Sequence, residues 1–129
     1  STPTLVDAID AATQTMSSDE AINSIRIKTG SLRRLFKERA MYADEVVAGQ
    51  RKVASMREAN AERYDVAQQE NVLKESEMMV QDNATRLEDA YNSLAATSEH
   101  FARDGLVKAS AEYVAAVALL KEVEAVLKR

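Results

Sequence analysis

An apolar residue recurs at every seventh position over two long segments of this chain. The first series is Val66, Leu73, Val80, Leu87, Leu94 and Phe101, and the second is Leu106, Tyr113, Leu120 and Leu127. Because seven residues make almost two turns of an α-helix, each series lies along one face of a helix that packs against other helices. With one proline and three glycines among 129 residues, a sheet fold with many tight turns is disfavoured.

A further long helix precedes these two and is predicted over residues 19–59. Its apolar positions alternate in steps of three and four, the spacing of a helix that packs along its length. The stripe comprises Ile22, Ile25, Thr29, Leu32, Phe36, Ala43, Val46 and Val53, widened by Leu35, Tyr42 and Met56. Gly30 and Gly49 each weaken this helix by about 1 kcal/mol relative to alanine, which a continuous packed face offsets.

Short polar segments mark the ends of the helices. Ser17 and Glu20 have the spacing of a capping box before the first long helix. In the segment ANAERYD, Asn60 is able to leave helical geometry and Asp65 is placed to cap the following helix. The segment RDG ends at Gly105, a residue type that commonly stops helices. We therefore predict long helices over residues 19–59, 65–103 and 106–128.

Residues 1–18 are predicted to form an N-terminal extension to the long helices. The spacing of Leu5, Ile9, Ala12 and Met16 indicates a short amphipathic helix within it. Residues 19–129 are predicted to form one all-α domain, an elongated antiparallel three-helix bundle of the spectrin-like, coiled-coil rod type.

The packed face of the second long helix contains an irregular step. It passes from Ser76 to Val80 and then to Ala84, which gives two successive steps of four. Such a stutter resets the coiled-coil phase, so we predict a phase break at the segment QDNAT. Thr85 and Glu88 then have capping-box spacing, as if a helix restarted there.

Two adjacent methionines precede this predicted break. From their phase relative to Val80, Met78 is expected to face away from the packed side and Met79 to lie on its flank. An exposed thioether adapts to irregular apolar partners, which favours a binding surface. The alternative is that a partly exposed methionine has no function.

Charge is distributed unevenly along the chain, whose formal net charge is −4. Residues 25–39 hold six basic side chains and one acid, whereas acids dominate residues 58–89. This asymmetry indicates either an interaction surface or a basic segment that packs beside the acidic one within the bundle. Nucleic acid is a disfavoured partner because the chain is acidic overall, and a membrane is disfavoured because the basic helix already has a packed apolar face.

The sequence offers no pattern of a catalytic, metal or cofactor site, so we predict a protein that is not an enzyme. There is no cysteine, and the three glycines are isolated rather than grouped in a phosphate loop. His100, the only histidine, has no metal-ligand spacing with Glu99 or Arg103. The longest apolar run, residues 113–120, is far short of a bilayer span, and no signal peptide is evident, so a soluble intracellular protein is expected.

Two blocks of sequence resemble the tubulin-binding cofactor A family of tubulin-specific chaperones. They are IRIKTGSLRRLFKERAMY at 25–42 and YDVAQQENVLKESEMMVQDNATRLEDAY at 64–91, and the likeness covers roughly residues 24–95. The resemblance implies a cytoplasmic, cytoskeleton-associated three-helix bundle that receives quasi-folded β-tubulin and holds it, without ATP, for assembly of the αβ heterodimer. The family has a proline where this chain has Gln81.

The candidate partner-binding residues combine charge with adaptable apolar contact. Because the client implied by the resemblance is acidic, the basic ones would steer its approach. The candidates are Lys28, Arg33, Arg34 and Lys37, the apolar contacts Tyr42, Tyr64, Met78 and Met79, and the polar pair Arg86 and Glu88. Other tubulin-folding cofactors are further possible partners, and monomer and homodimer both stay open. The alternative function is a structural coiled-coil or helical-bundle module without tubulin specificity.

Overall fold

The structure, a computed structural model, describes residues 2, 4–13 and 15–127, with only the backbone described for residues 10–13. The described residues form five α-helices and no strand, so the all-α prediction is confirmed. The helices are α1 Leu5–Thr13, α2 Ser18–Glu58, α3 Arg63–His100, α4 Gly105–Lys108 and α5 Ala111–Leu127. The chain divides into two compact units, residues 1–36 with 86–129 (unit 1) and residues 37–85 (unit 2), and α2 and α3 contribute to both.

The core of unit 1 is built from α2, α3, α4 and α5. Ten buried side chains form it, namely Ala21, Ile25, Leu32, Leu87, Leu94, Phe101, Val107, Ala116, Leu119 and Val123. Phe36 packs against this cluster, as the stripe of α2 predicts. Met16 packs there as well. The sequence spacing predicted that Met16 belongs to the N-terminal helix, but α1 ends at Thr13. The side chain of Ala12 and the predicted helix end at Lys128 lie outside the described residues.

Reciprocal hydrogen bonds fix the starts of α1 and α2. The Glu20 N–H donates to the Ser17 hydroxyl at 3.1 Å, and the Ser17 N–H donates to the Glu20 carboxylate at 3.2 Å. The predicted capping box is therefore confirmed. Thr4 and Asp7 make the same pair of bonds at the start of α1, and the hydrogen bonds from Thr4 lower the pKa of the Asp7 carboxyl.

The reversal between α2 and α3 is a Schellman motif centred on Asn60. This residue has φ of 54°, and the Asn60 and Ala61 N–H groups donate to the carbonyls of Arg57 and Met56 at 3.1 and 2.9 Å. These bonds satisfy carbonyls at the end of α2, and they confirm that Asn60 leaves helical geometry. The predicted cap at Asp65 is wrong, because α3 begins at Arg63 and Asp65 lies within its first turn.

The middle of α3 is regular where the sequence predicts a phase break. Asn83 is buried and Ala84 is exposed, so the packed face steps from Val80 to Asn83 and then to Leu87 in the ordinary spacing of three and four. The predicted stutter is therefore wrong. The prediction assigned the packed position to Ala84 because alanine is apolar, whereas the buried residue is the neighbouring Asn83. No helix restarts at Thr85, whose hydroxyl donates to the Gln81 carbonyl at 3.4 Å within a continuous helix.

Two caps fix the starts of α4 and α5, which take the place of the single predicted last helix. The carboxylate of Asp104 accepts from the N–H groups of Leu106 and Val107, and the Ser18 hydroxyl also donates to it at 2.8 Å. These bonds lower the pKa of Asp104. The Ser110 hydroxyl accepts from the Tyr113 N–H and donates to the Val107 carbonyl, so α5 starts afresh. Gly105 begins α4 instead of stopping α3, which ends at His100.

Unit 2 consists of residues 37–58 of α2 and residues 63–85 of α3, joined by the Asn60 turn. The two segments are antiparallel, as contacts between Gly49 and Leu73 and between Arg57 and Glu70 require. A Cβ atom at Gly49 would lie 3.1 Å from Leu73 Cδ1, so glycine permits this close approach. Val53 is the one hydrophobic side chain of the unit that is buried among the described residues.

Replacing Asn60 tests the geometry of the turn. We expect Asn60→Ala to lower the free energy of unfolding by about 1 kcal/mol, because an alanine Cβ is strained at positive φ. The matched variant Asn60→Gly should be as stable as the parent or more so, since glycine adopts this conformation freely. Urea unfolding followed by circular dichroism measures both, and equal stability of the two variants would contradict this assignment.

Candidate functional site

A groove follows one side of the helix pair in unit 2. One part of it encloses about 340 Å³ and is lined by Ala43, Val46, Glu77, Val80 and Gln81. A second part encloses about 270 Å³ and is lined by Gln50, Val53, Ala54, Arg57, Glu70, Leu73, Lys74 and Glu77. Glu77 lines both parts, so we call the whole surface the unit 2 groove.

The unit 2 groove has an apolar floor and a charged rim. Val46, Leu73 and Val80 on the floor are only half-buried, although they occupy packed positions of their helices. On the rim, Arg57 donates to Glu70 at 3.0 Å in a salt bridge whose partners are both well exposed. Such a pair contributes little to stability because solvent screens it, which leaves both side chains available to a partner.

Exposed apolar side chains lie on the outward face of α3 and on its flank in the same unit. Tyr64 is 69% exposed, Val72 50%, Met78 68% and Met79 40%. The exposure of both methionines agrees with their predicted phase. Gln68 Nε2 donates to the Tyr64 hydroxyl at 2.6 Å, one helical turn away on α3. We call Tyr64, Val72, Met78 and Met79 the α3 strip.

The α2 segment of unit 2 also presents side chains to solvent. Lys37 is exposed and Tyr42 is half-buried. Met41 and Val47, which are not among the candidates from the sequence, are 48% and 44% exposed. Val72 was missed in the same way, although its position seven residues before Met79 places both on one face of α3.

The basic candidates of unit 1 fall into two groups. Arg33 and Arg34 are exposed on α2. Lys28 is half-buried instead, and its ammonium group donates to the Thr97 hydroxyl on α3 at 2.6 Å. Burial lowers the pKa of Lys28. Its ammonium group therefore takes part in the packing of α2 against α3 within unit 1.

The remaining candidates of unit 1 lie on α3. Arg86 and Glu88 are exposed there. His100 is exposed at the end of α3, with its ring edge-on to Phe101 at a centroid distance of 4.8 Å. No group of three or more histidine, cysteine, aspartate or glutamate residues in the described part of the chain is placed to hold a metal ion.

A separate groove lies in unit 1, where α1 meets α3. It encloses about 420 Å³, and Val6 from α1 contributes one wall. The rest of the lining comes from α3, namely Tyr91, Asn92, Ala95, Ala96, Glu99 and His100. None of the sequence candidates lines this groove.

Comparison with known proteins identifies the chain's relatives. The sequence model of the family described as tubulin binding cofactor A matches residues 20–120. The chain belongs to this family. The tubulin-specific chaperone A of Homo sapiens is 42% identical over 76 residues, which are 59% of this chain and 70% of that protein.

Two solved structures of the cofactor A family have the same fold. Tubulin folding cofactor A from Arabidopsis thaliana superposes with a TM-score of 0.72 at 36% identity, covering 81% of this chain and 95% of that one. Human tubulin chaperone cofactor a superposes with a TM-score of 0.66 at 39% identity, covering 81% of this chain and 98% of that one. The resemblance stated from the sequence is confirmed.

The bounds of the cofactor A match show which helices of this chain the family model covers. The match begins at residue 20, so α1 and the first two residues of α2 lie outside it. The unit 2 groove and the α3 strip lie within it. At Gln81, where the resemblance expects a proline, α3 continues without interruption. None of the helices in the described ranges is long and apolar enough to cross a membrane.

Proposed function

We propose that this protein is a cytoplasmic tubulin-folding chaperone that binds quasi-folded β-tubulin and holds it for assembly of the αβ heterodimer. The observation that carries the proposal is the cofactor A family match over residues 20–120. Relatives named as tubulin-specific chaperone A and tubulin-folding cofactor A support it. Exchange with other tubulin-folding cofactors is part of the same proposal.

Unit 2 supplies the principal contact with the client in this proposal. The half-buried side chains of the apolar floor still expose part of their surface to water, so a partner that covers them gains hydrophobic stabilisation without a large rearrangement. The α3 strip adds methionine side chains, which adjust to a client whose surface is not fully ordered. Together the groove and the strip offer apolar contact on two sides of the α3 segment.

Arg33, Arg34 and Lys37 act on the encounter in this proposal. Exposed charges raise the rate at which an oppositely charged partner arrives, and salt weakens the effect. Lys28 is left out of this role because its ammonium group is bound to Thr97. Arg86 and Glu88 add polar contacts that fix the position of the client.

Release of the client requires no nucleotide in this account. The chain has three glycines, which are isolated and form no phosphate-binding loop. Moderate affinity is then the means of release, since an exposed mixed surface binds and dissociates readily. The rival function is a structural helical module, which needs no specific affinity for tubulin.

Charge reversal tests the steering residues. We expect Arg33→Glu with Arg34→Glu to slow association with β-tubulin about tenfold at low salt and to flatten its salt dependence, because the attractive field is reversed. Stopped-flow or surface-based kinetics measures the rate. Lys108→Glu with Lys121→Glu changes the net charge equally at exposed positions of α4 and α5, and should leave the rate nearly unchanged. Equal effects of both pairs would refute local steering.

Substitution at the groove tests the contact surface. Ala43 lines the unit 2 groove and is exposed, so Ala43→Glu places a carboxylate there without disturbing a buried side chain. We expect at least about tenfold weaker binding to β-tubulin, measured by calorimetry, because that charge must be desolvated. The matched variant Ala48→Glu, at an exposed position of the same helix outside the groove lining, should bind like the parent. If Ala43→Glu binds equally well, the groove is not the contact.

A further inference from the structure

Methionine supplies all the sulfur in this chain. There is no cysteine, and the five methionines are Met16, Met41, Met56, Met78 and Met79. Peroxides oxidise thiolates and thioethers, so in this protein the thioethers meet no competition from thiols. Oxidation of this chain by mild peroxide therefore falls on methionine.

The five thioethers differ in their exposure. Met16 and Met56 are half-buried, and Met16 packs against the core of unit 1. Met78 is the most exposed of the five at 68%, with Met41 and Met79 also exposed. Because susceptibility follows exposure, Met78 is the side chain most accessible to an oxidant.

We propose that Met78 and Met79 form a reversible oxidation site that switches off the α3 strip as a client-binding surface. The loss of client binding rests on the proposed function, whereas the location of the modification does not. The modifying reagent is hydrogen peroxide or an alkyl hydroperoxide. The product is methionine sulfoxide, which is polar where the thioether is apolar.

The reaction balances without any other component. A lone pair of the thioether sulfur attacks one peroxide oxygen, the O–O bond breaks, and that oxygen is transferred to sulfur. The sulfur is oxidised by two electrons and hydrogen peroxide is reduced to water. Methionine sulfoxide reductases, with one enzyme for each sulfoxide epimer, reverse the change with electrons from thiols.

The position of Met78 allows its oxidation to change the surface of α3 without unfolding unit 2. Its side chain lies on the outward face of α3 and is 68% exposed, whereas the neighbouring packed positions Ser76 and Val80 are half-buried. An added oxygen on Met78 therefore leaves the packing of unit 2 intact. The same oxygen on Met16 would be forced against the core of unit 1 and would destabilise it.

The consequence for binding follows from the chemistry of the two states. A client that buries the Met78 and Met79 thioethers gains apolar contact, whereas two sulfoxides must lose their hydration in the same place. Met78 and Met79 are consecutive residues, so their side chains point in different directions around α3. Oxidation of both therefore makes a broad part of the α3 strip polar.

The experiment treats the purified protein with dilute hydrogen peroxide, removes the peroxide and then adds β-tubulin. Peptide mass spectrometry locates the added oxygen, and circular dichroism follows the helices. We expect oxidation at Met78 first, unchanged helicity, and at least about tenfold weaker binding to β-tubulin. Treatment with reductases for both epimers should restore binding.

Leucine variants identify the responsible thioethers. Met78→Leu with Met79→Leu keeps the apolar volume but removes the oxidisable sulfur, so it should bind β-tubulin like the parent before and after peroxide. Met41→Leu removes another exposed thioether and should leave the sensitivity to peroxide unchanged. Preferred oxidation of Met16 or Met56, or loss of binding by the oxidised double variant, would overturn the proposal.

The two proposals fail in different ways. If the untreated protein binds β-tubulin and the Met78 sulfoxide form binds it equally well, the switch is refuted and the chaperone function stands. If the untreated protein binds no tubulin, the proposed function is refuted and the switch with it, whatever the oxidation map.

Discussion

The packed face of α3 is the constraint on which the rest of the structure depends. Its seven-residue apolar repeat extends along the whole helix, so every turn must be covered by neighbouring side chains or stay partly exposed. In unit 1 several helices enclose the core, and Leu87 and Leu94 are almost fully buried. In unit 2 two helical segments share the task, and Leu73 and Val80 remain half-buried beside a groove. The proposed client surface follows from this difference in the number of helices.

Features governed by local chemistry could be predicted from the sequence. The apolar repeats predicted an all-α fold, and the hydroxyl–carboxylate spacing of Ser17 and Glu20 predicted a capping box. Asn60 was predictable as a helix end, because asparagine is one of the few residues that adopt positive φ readily. The outward phase of Met78 was predictable because its distance from Val80 sets its face on the helix.

Features that depend on tertiary partners could not be predicted in the same way. Asn83 was passed over for a packed position because it is polar, yet it is buried. Lys28 was taken for a steering charge, whereas the Thr97 hydroxyl 69 positions away in sequence accepts a hydrogen bond from it. The break before α5 depends on Ser110 bonding both to Tyr113 and to Val107, and apolar periodicity carries no sign of it. The unit 2 groove could not be predicted from apolar periodicity, because the periodicity of one helix does not show how its apolar face meets that of another helix.

Hydrogen exchange of the backbone amides, with and without β-tubulin, tests the central claim that unit 2 holds the client. A chaperone that uses the groove should exchange more slowly over residues 43–57 and 70–81 when β-tubulin is present, because a bound partner suppresses local opening of both helical segments. The same addition of α-tubulin should leave these residues unchanged. Unchanged exchange of both segments with β-tubulin, or slowing confined to α5, would contradict the account.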